Sequence, residues 1–164
     1  MKNAPTAALL TRIERDWRTA RPDLNPEPML TVIAVQRTSG LLQAELEAFF
    51  AGHGLSPAAF DVLATLRRSA PPEGLTLGEL AALMAVTPPA VTKRVDALNV
   101  RGLLDRLPDA ADRRAIRARL TAAGREVVDA LLPQHLTHEE RLLAGLSAGE
   151  RQTLRTLLGR IRAD

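Results

Sequence analysis

The chain has 164 residues, 46% of them hydrophobic, a length that suits one domain with its own core and a composition that excludes a wholly disordered polypeptide. Its 22 lysines and arginines stand against 19 aspartates and glutamates, so the net charge of +3 leaves the placement of charge, not its amount, to carry any message. With no cysteine, disulfides, thiolate nucleophiles and thiolate zinc sites are excluded.

No apolar run approaches a membrane span and the N-terminal segment lacks the apolar core of a signal peptide, so a cytoplasmic location and no membrane partner are expected. No internal repeat is present, and proline and glycine punctuate a series of helices. Leu9, Leu10, Ile13 and Trp17 recur at helical spacing from Thr6 to about Ala20, and three prolines in "ARPDLNPEP" follow. A second helix is expected from about Met29 to Ala51, closed by Gly52 and Gly54. Ser56 and Pro57 open a third, which carries Phe60, Leu63 and Leu66 and ends near Ser69.

"TLGE", Thr76 to Glu79, is a capping box for a short helix expected to bury Leu80, Leu83 and Met84. A turn of Ala85, Val86 and Thr87 leads to a second short helix, with Thr87 as cap, Pro88 at its first position and Gly102 as its stop. Together these form a helix-turn-helix. Val91, Val95 and Leu98 make the inward stripe of the second helix, which leaves Ala90, Thr92, Lys93 and Arg94 outward or sideways. Beyond Gly102, Ile116, Ala118 and Leu120 alternate with Arg117 and Arg119 at the strand period, the return arm of a hairpin whose tip holds "PDAADRR". Thr121 caps a long helix through about Ala144, interrupted or kinked at Pro133, and "SAGE", Ser147 to Glu150, opens a last helix with Leu154, Leu157, Leu158 and Ile161. The order α-α-α-α-α-β-β-α-α describes a mainly helical fold, a winged helix-turn-helix with a two-stranded β wing.

Between Thr87 and Arg119 lie eight cations (Lys93, Arg94, Arg101, Arg106, Arg113, Arg114, Arg117, Arg119) against four aspartates, a local +4 in a chain of +3. Positive charge is thus concentrated on the second helix of the pair and the hairpin, where neutralised phosphates and released counterions would favour DNA binding.

The run "LTLGELAALMAVTPPAVTKRVDALNVRGLLDRLPDAADRRAIRARLTAAG" resembles the core of the MarR family of winged-helix regulators, in its "R-x-x-x-x-L-x-x-x-G-L" helix end and its "D-x-x-D-R-R-x-x-x-x-x-L-T-x-x-G" wing. The resemblance implies a homodimer on a palindromic double-stranded operator, with one recognition helix per protomer in the major groove and a wing arginine in or near the minor groove. On this reading residues 1–164 are one domain, in which about 6–52 and 122–163 supply dimerisation helices and about 56–120 form the DNA-binding lobe. Thr87, Pro89, Ala90, Thr92, Lys93, Arg94, Arg113 and Arg114 are its expected DNA contacts. Pro88 and Pro89 depart from the small polar residues that usually open this family's recognition helix.

Within the family, the chain is similar to the urate-responsive subfamily, whose tryptophan, aspartate and two arginines match Trp17, Asp61, Arg94 and Arg106. A planar, anionic heteroaromatic calls for a flat partner and a guanidinium, which this set contains. The resemblance therefore implies a repressor released by urate or a related purine anion, with no other cofactor. A regulator responding to phenolic or other aromatic anions is one alternative, and a winged-helix module for DNA binding or protein contacts, without any effector, is another. Taken singly, Trp17 also fits an interface, Asp61 a helix dipole, and Arg94 and Arg106 phosphate contacts. His135, His138 and Glu139 lie one helical turn apart, a spacing that suits a solvated face better than a metal. No catalytic triad order, phosphate loop or paired-carboxylate pocket is legible, so no enzyme is expected.

Overall fold

The computed structural model describes residues 6–112 and 114–161, and the chain divides into two compact units between Ala48 and Phe49. The first unit holds α1 (Thr6–Ala20) and most of α2 (Glu27–Ala51). Leu9, Leu10 and Ile13 of α1 are half-buried, while Trp17 at the end of the same stripe remains 39% exposed. Helix α2 starts two residues ahead of the expected Met29. The Asn25 side chain accepts from the Glu27 amide at 3.1 Å, and Pro28 in the first turn has no amide that would need an intrahelical partner.

The second unit carries the winged fold: α3 (Pro57–Ser69), β1 (Leu75–Thr76), α4 (Leu77–Met84), α5 (Pro88–Val100), β2 (Leu104–Pro108), β3 (Ile116–Leu120), α6 (Ala122–Leu142) and α7 (Ala148–Leu158). Ser56 caps α3 through the Ala59 amide, and both expected capping boxes form, Thr76 with Glu79 and Ser147 with Glu150. The sheet has three strands, not two, in the order β1-β3-β2 with both pairs antiparallel. The extra strand is two residues long, too short to show alternation, and Thr76 serves it and the α4 cap at once. Ala118 on β3 lies between Leu75 of β1 and Arg106 of β2 and is fully buried.

The core collects Phe60, Leu63 and Leu66 from α3, Leu80 from α4, Val91, Val95 and Leu98 from α5, Leu104, Ala118 and Leu120 from the hairpin, and Val128 and Leu131 from α6. Leu83 does not join it: it is 48% exposed, and Ala81 takes the inward position beside Leu80. An eight-residue helix turns too few times for its stripe to be placed by spacing alone. Helix α6 runs unbroken through Pro133 and ends at Leu142, two residues short of the expected Ala144. Its first turn packs so closely that a Cβ on Gly124 would stand 1.8 Å from the Leu103 carbonyl oxygen, so the glycine of "LTAAG" sets how near α6 approaches the wing.

Candidate nucleic-acid interface and effector residues

The turn into α5 is made by Ala85 in the left-handed region, with φ of 52°, at the C-cap of α4. Thr87 occupies the N-cap of α5 as expected, yet its hydroxyl makes no capping bond. The reason is the double proline. A cap hydroxyl accepts from the second or third amide of a helix; Pro89 has removed the second, and the third, on Ala90, donates to the Thr87 carbonyl at 3.0 Å. The helix therefore opens on an apolar first turn with Pro89 exposed. Lys93 is exposed one turn along, Ala90 and Arg94 are half-exposed, and the Thr92 hydroxyl donates back to the Pro88 carbonyl at 3.1 Å.

The wing is held at its tip by one carboxylate. Asp109, 6% exposed, accepts through one oxygen from the amides of Ala111 and Asp112 at 2.8 and 2.7 Å, and through the other from the Arg117 guanidinium. Arg117 also donates to the Gly74 carbonyl at 2.8 Å and lies 3.9 Å from Glu79, so it ties the hairpin to the loop before β1 and to the α4 cap. The Asp112 amide, Arg117 and the Ala111 amide hold the Asp109 carboxyl below the usual carboxylate range. Because the folded value is lowered, this stabilisation is present above the ordinary 3.8 and disappears as pH falls through the still lower folded value. Wing-tip amide shifts are thus expected to stay constant from neutral to mildly acidic pH and to move only below that ordinary value. Asp109→Asn should remove this step and raise hydrogen exchange from Asp109 to Ala115, and a variant whose exchange matches the parent's would refute the clamp.

The wing clamp sorts the cations. Of the eight between Thr87 and Arg119, Arg106 pairs with Asp96, Arg117 with Asp109 and Arg119 with Asp105. Among the described residues Lys93, Arg94, Arg101 and Arg114 have no carboxylate within ion-pair distance. Arg114 is exposed on the wing, where its amide donates to Asp112 at 2.9 Å; Arg113 lies outside the described residues. The uncompensated charge is therefore narrower than composition suggests, resting on α5, its end and the wing tip.

The effector set is distributed as follows. Asp61 on α3, Arg94 on α5 and Arg106 on β2 are all half-exposed, and Trp17 lies on α1. Among the described residues Asp61 and Arg94 form no ion pair, so an aspartate-to-arginine lock built on Asp61 is absent from this structure. Arg106 is engaged instead by Asp96, two turns into the recognition helix, joining β2 to α5. Sequence reading missed Asp96, since only the packing of α5 against β2 brings the two together. The Asp109 to Arg117 clamp is a diagonal pair, since Pro108 stands opposite Ile116, Arg117 opposite Leu107, and the Asp109 amide donates to the Ala115 carbonyl, so it too depends on a register that spacing does not give.

The histidines depart from the solvated face expected of them. His138 stacks on Phe49 with centroids 4.9 Å apart, and His135 packs against Phe50 and Phe60 while its Nε2 lies 3.3 Å from Glu139. Among the described residues no group of three metal-binding side chains is assembled. Nor is any helix among them long and apolar enough to cross a membrane.

A model of the MarR family matches residues 53–115, the stretch from α3 to the wing tip. The HTH-type transcriptional regulator PecS of Dickeya dadantii (strain 3937) is 35% identical over 149 residues, which cover 91% of this chain and 90% of PecS. The chain belongs to the MarR family. It is a transcriptional regulator and not an enzyme, as its relatives are named. Among MarR-type structures, BpsR of Bordetella bronchiseptica is similar at 27% identity and a TM-score of 0.71, covering 79% of this chain and 91% of its own; it is described as regulated in its DNA binding by 6-hydroxynicotinic acid. A mutant MarR of E. coli, solved in complex with operator DNA, shares the fold at 22% identity, with a TM-score of 0.71 over 90% of this chain and 98% of that one. The three-stranded sheet and the α4-turn-α5 pair are this MarR member's version of the winged helix.

Proposed function

We propose that this MarR-family protein is a homodimeric repressor that binds double-stranded DNA at a palindromic operator and is released by urate or a related purine anion. The observation that carries the DNA-binding part is that, between Thr87 and Arg119, the cations without a carboxylate partner among the described residues are Lys93, Arg94, Arg101 and Arg114, on the recognition helix, its end and the wing tip, while Arg106, Arg117 and Arg119 are neutralised within the fold. Thr87, Pro89, Ala90 and Thr92 at the start of α5 meet base edges, and Arg114, with Arg113 of the same "DRR" sequence, contacts the groove or the phosphates. Residues of about 56–120 make up the DNA-binding lobe. The helices of about 6–52 and 122–163 serve dimerisation, a reading supported by Leu154, Leu157 and Leu158, which α7 leaves exposed at helical spacing.

The effector part rests on Trp17, Asp61, Arg94 and Arg106. An effector releases DNA only if it binds the DNA-incompetent state better, so it must engage something joined to the recognition helix. Arg106 meets that requirement through Asp96. An anion that takes the guanidinium displaces the Asp96 carboxylate and so loosens α5 from β2. A second reading, an aromatic acid as effector, is favoured by the description of BpsR, and the same arginines would serve a carboxylate. A third, DNA binding without any effector, follows if no metabolite acts.

A gel shift on the DNA upstream of the protein's own gene, at fixed salt, tests all three. Urate and xanthine are expected to dissolve the complex while salicylate and 6-hydroxynicotinate leave it. The reverse order would transfer the assignment to aromatic acids, and a complex indifferent to all four would leave DNA binding alone.

A further inference from the structure

Away from the recognition helix and the effector residues, the end of α3, the Pro71–Pro72 corner, the end of β3 and the first turn of α6 enclose a cavity of about 300 Å³. Leu66 and Leu120 contribute apolar lining, and three guanidinium groups line it as well, Arg67, Arg119 and Arg125, each from a different element; no carboxylate does. Arg67 is partly satisfied by Asp129, at 2.8 and 3.3 Å, and Arg119 by a single 3.3 Å bond to Asp105. Arg125 has no side-chain partner among the described residues.

Convergence of three guanidiniums, of which only Arg67 and Arg119 are offset by a carboxylate, is unfavourable in an otherwise ordinary surface fold. The position of Arg125 adds to the cost, since a cation in the first turn of α6, which carries no acidic residue, faces the positive end of the helix dipole. Both costs reverse sign when an anion occupies the cavity. Two consecutive prolines fix the backbone at the rim, so little conformational freedom is lost on binding. The planar fork of a guanidinium matches phosphate oxygens two at a time, and three forks from three directions suit a tetrahedral dianion better than a flat monocarboxylate.

We propose that this cavity is a binding site for a phosphate dianion, taken up as free phosphate or as the phosphomonoester of a nucleotide. Occupation draws Arg119 from Asp105 on β2 to a ligand shared with α3 and α6, which ties the base of the wing to two helices of the lobe. None of these residues belongs to the DNA-contacting or urate-binding sets, so the site acts beside them.

Calorimetric titration of the full-length protein with inorganic phosphate, and separately with adenosine 5′-monophosphate, at constant ionic strength in chloride, tests the site. Saturable binding with a Kd below about 1 mM is expected in at least one arm. Equal affinity in both arms identifies the phosphate alone as what is recognised; at least about tenfold tighter binding of the nucleotide adds the apolar lining to the recognition. Arg125→Ala, on an exposed helical turn, should fold with unchanged circular dichroism and lose about tenfold or more in affinity, and Arg125→Lys should recover only part of it. Three results would overturn the proposal: no saturable heat in either arm up to about 10 mM, affinity unaltered in Arg125→Ala, or a fall of about 1.8 units in the salt slope of DNA binding in that variant, about 0.9 for each protomer of a dimer, which would make Arg125 a contact to the DNA backbone.

Discussion

Replacing Lys93 and Arg114 together with alanine is expected to lower operator affinity roughly a hundredfold at physiological salt, and to flatten the dependence of log K on log salt by about 3.6 units. The slope follows from counting. Each lost phosphate contact removes about 0.9 from it, and a homodimer with two such residues per protomer loses four contacts. Both side chains are exposed and neither has a carboxylate at ion-pair distance among the described residues, so their charge is available to DNA. Arg117→Ala supplies the contrast. Arg117 is engaged by Asp109, the Gly74 carbonyl and Glu79, so its loss should weaken DNA binding about tenfold by unpinning the wing while leaving the salt slope unchanged. Salt titrations by fluorescence anisotropy separate the two behaviours. A double variant with the parent's slope would remove Lys93 and Arg114 from the interface, whatever became of affinity.

That contrast marks how far the sequence could be read. Capping boxes, proline at first helical positions and the Val91, Val95, Leu98 stripe are local signals, determined within one or two helical turns, and the structure contains all of them. Local signals also have a resolution. Two residues of β1 hold no period, Leu83 sits on a helix too short to define a face, and Pro28, which a start at Met29 left outside α2, lies inside its first turn, where a missing amide costs nothing.

Charge was legible in number and not in pairing. Eight cations between Thr87 and Arg119 were countable, but which are neutralised depends on strand register and on helix-to-strand packing. Arg117 looked like one more DNA-facing residue and instead holds the wing together, and Arg106 looked like an available effector ligand and instead is held by Asp96. The same limit applies to the histidines, whose spacing on α6 says nothing of the phenylalanine rings that other helices bring to them.

The pairing of Arg106 with Asp96 turns the effector proposal into a sharper expectation than a ligand-loss variant alone would allow. If urate binds the Arg106 guanidinium, it competes with a carboxylate already there, and the measured affinity is the intrinsic affinity reduced by that competition. Asp96→Asn keeps the shape of the side chain and removes its charge, so urate should bind this variant more tightly, by about tenfold, and release DNA at correspondingly lower concentration. Arg106→Ala should move the other way. Losing a charge-assisted contact of about 1.5 to 3 kcal/mol corresponds to roughly 10- to 150-fold weaker urate binding. Intrinsic fluorescence reads both directly, since Trp17 is the sole tryptophan and the chain has no tyrosine. Saturable quenching by urate, corrected for its absorbance, is expected in the parent, at lower concentration in Asp96→Asn and not at all in Trp17→Phe. Release of DNA by urate should follow the same order in gel shifts, except that its dependence on Trp17 tests contact with the ligand and its dependence on Asp96 tests coupling to α5. If Asp96→Asn binds urate no better than the parent while Arg106→Ala binds it worse, the guanidinium holds the ligand without competition, and release must be transmitted by something other than the β2 to α5 ion pair. If neither variant changes urate affinity, Arg106 is no part of the effector site.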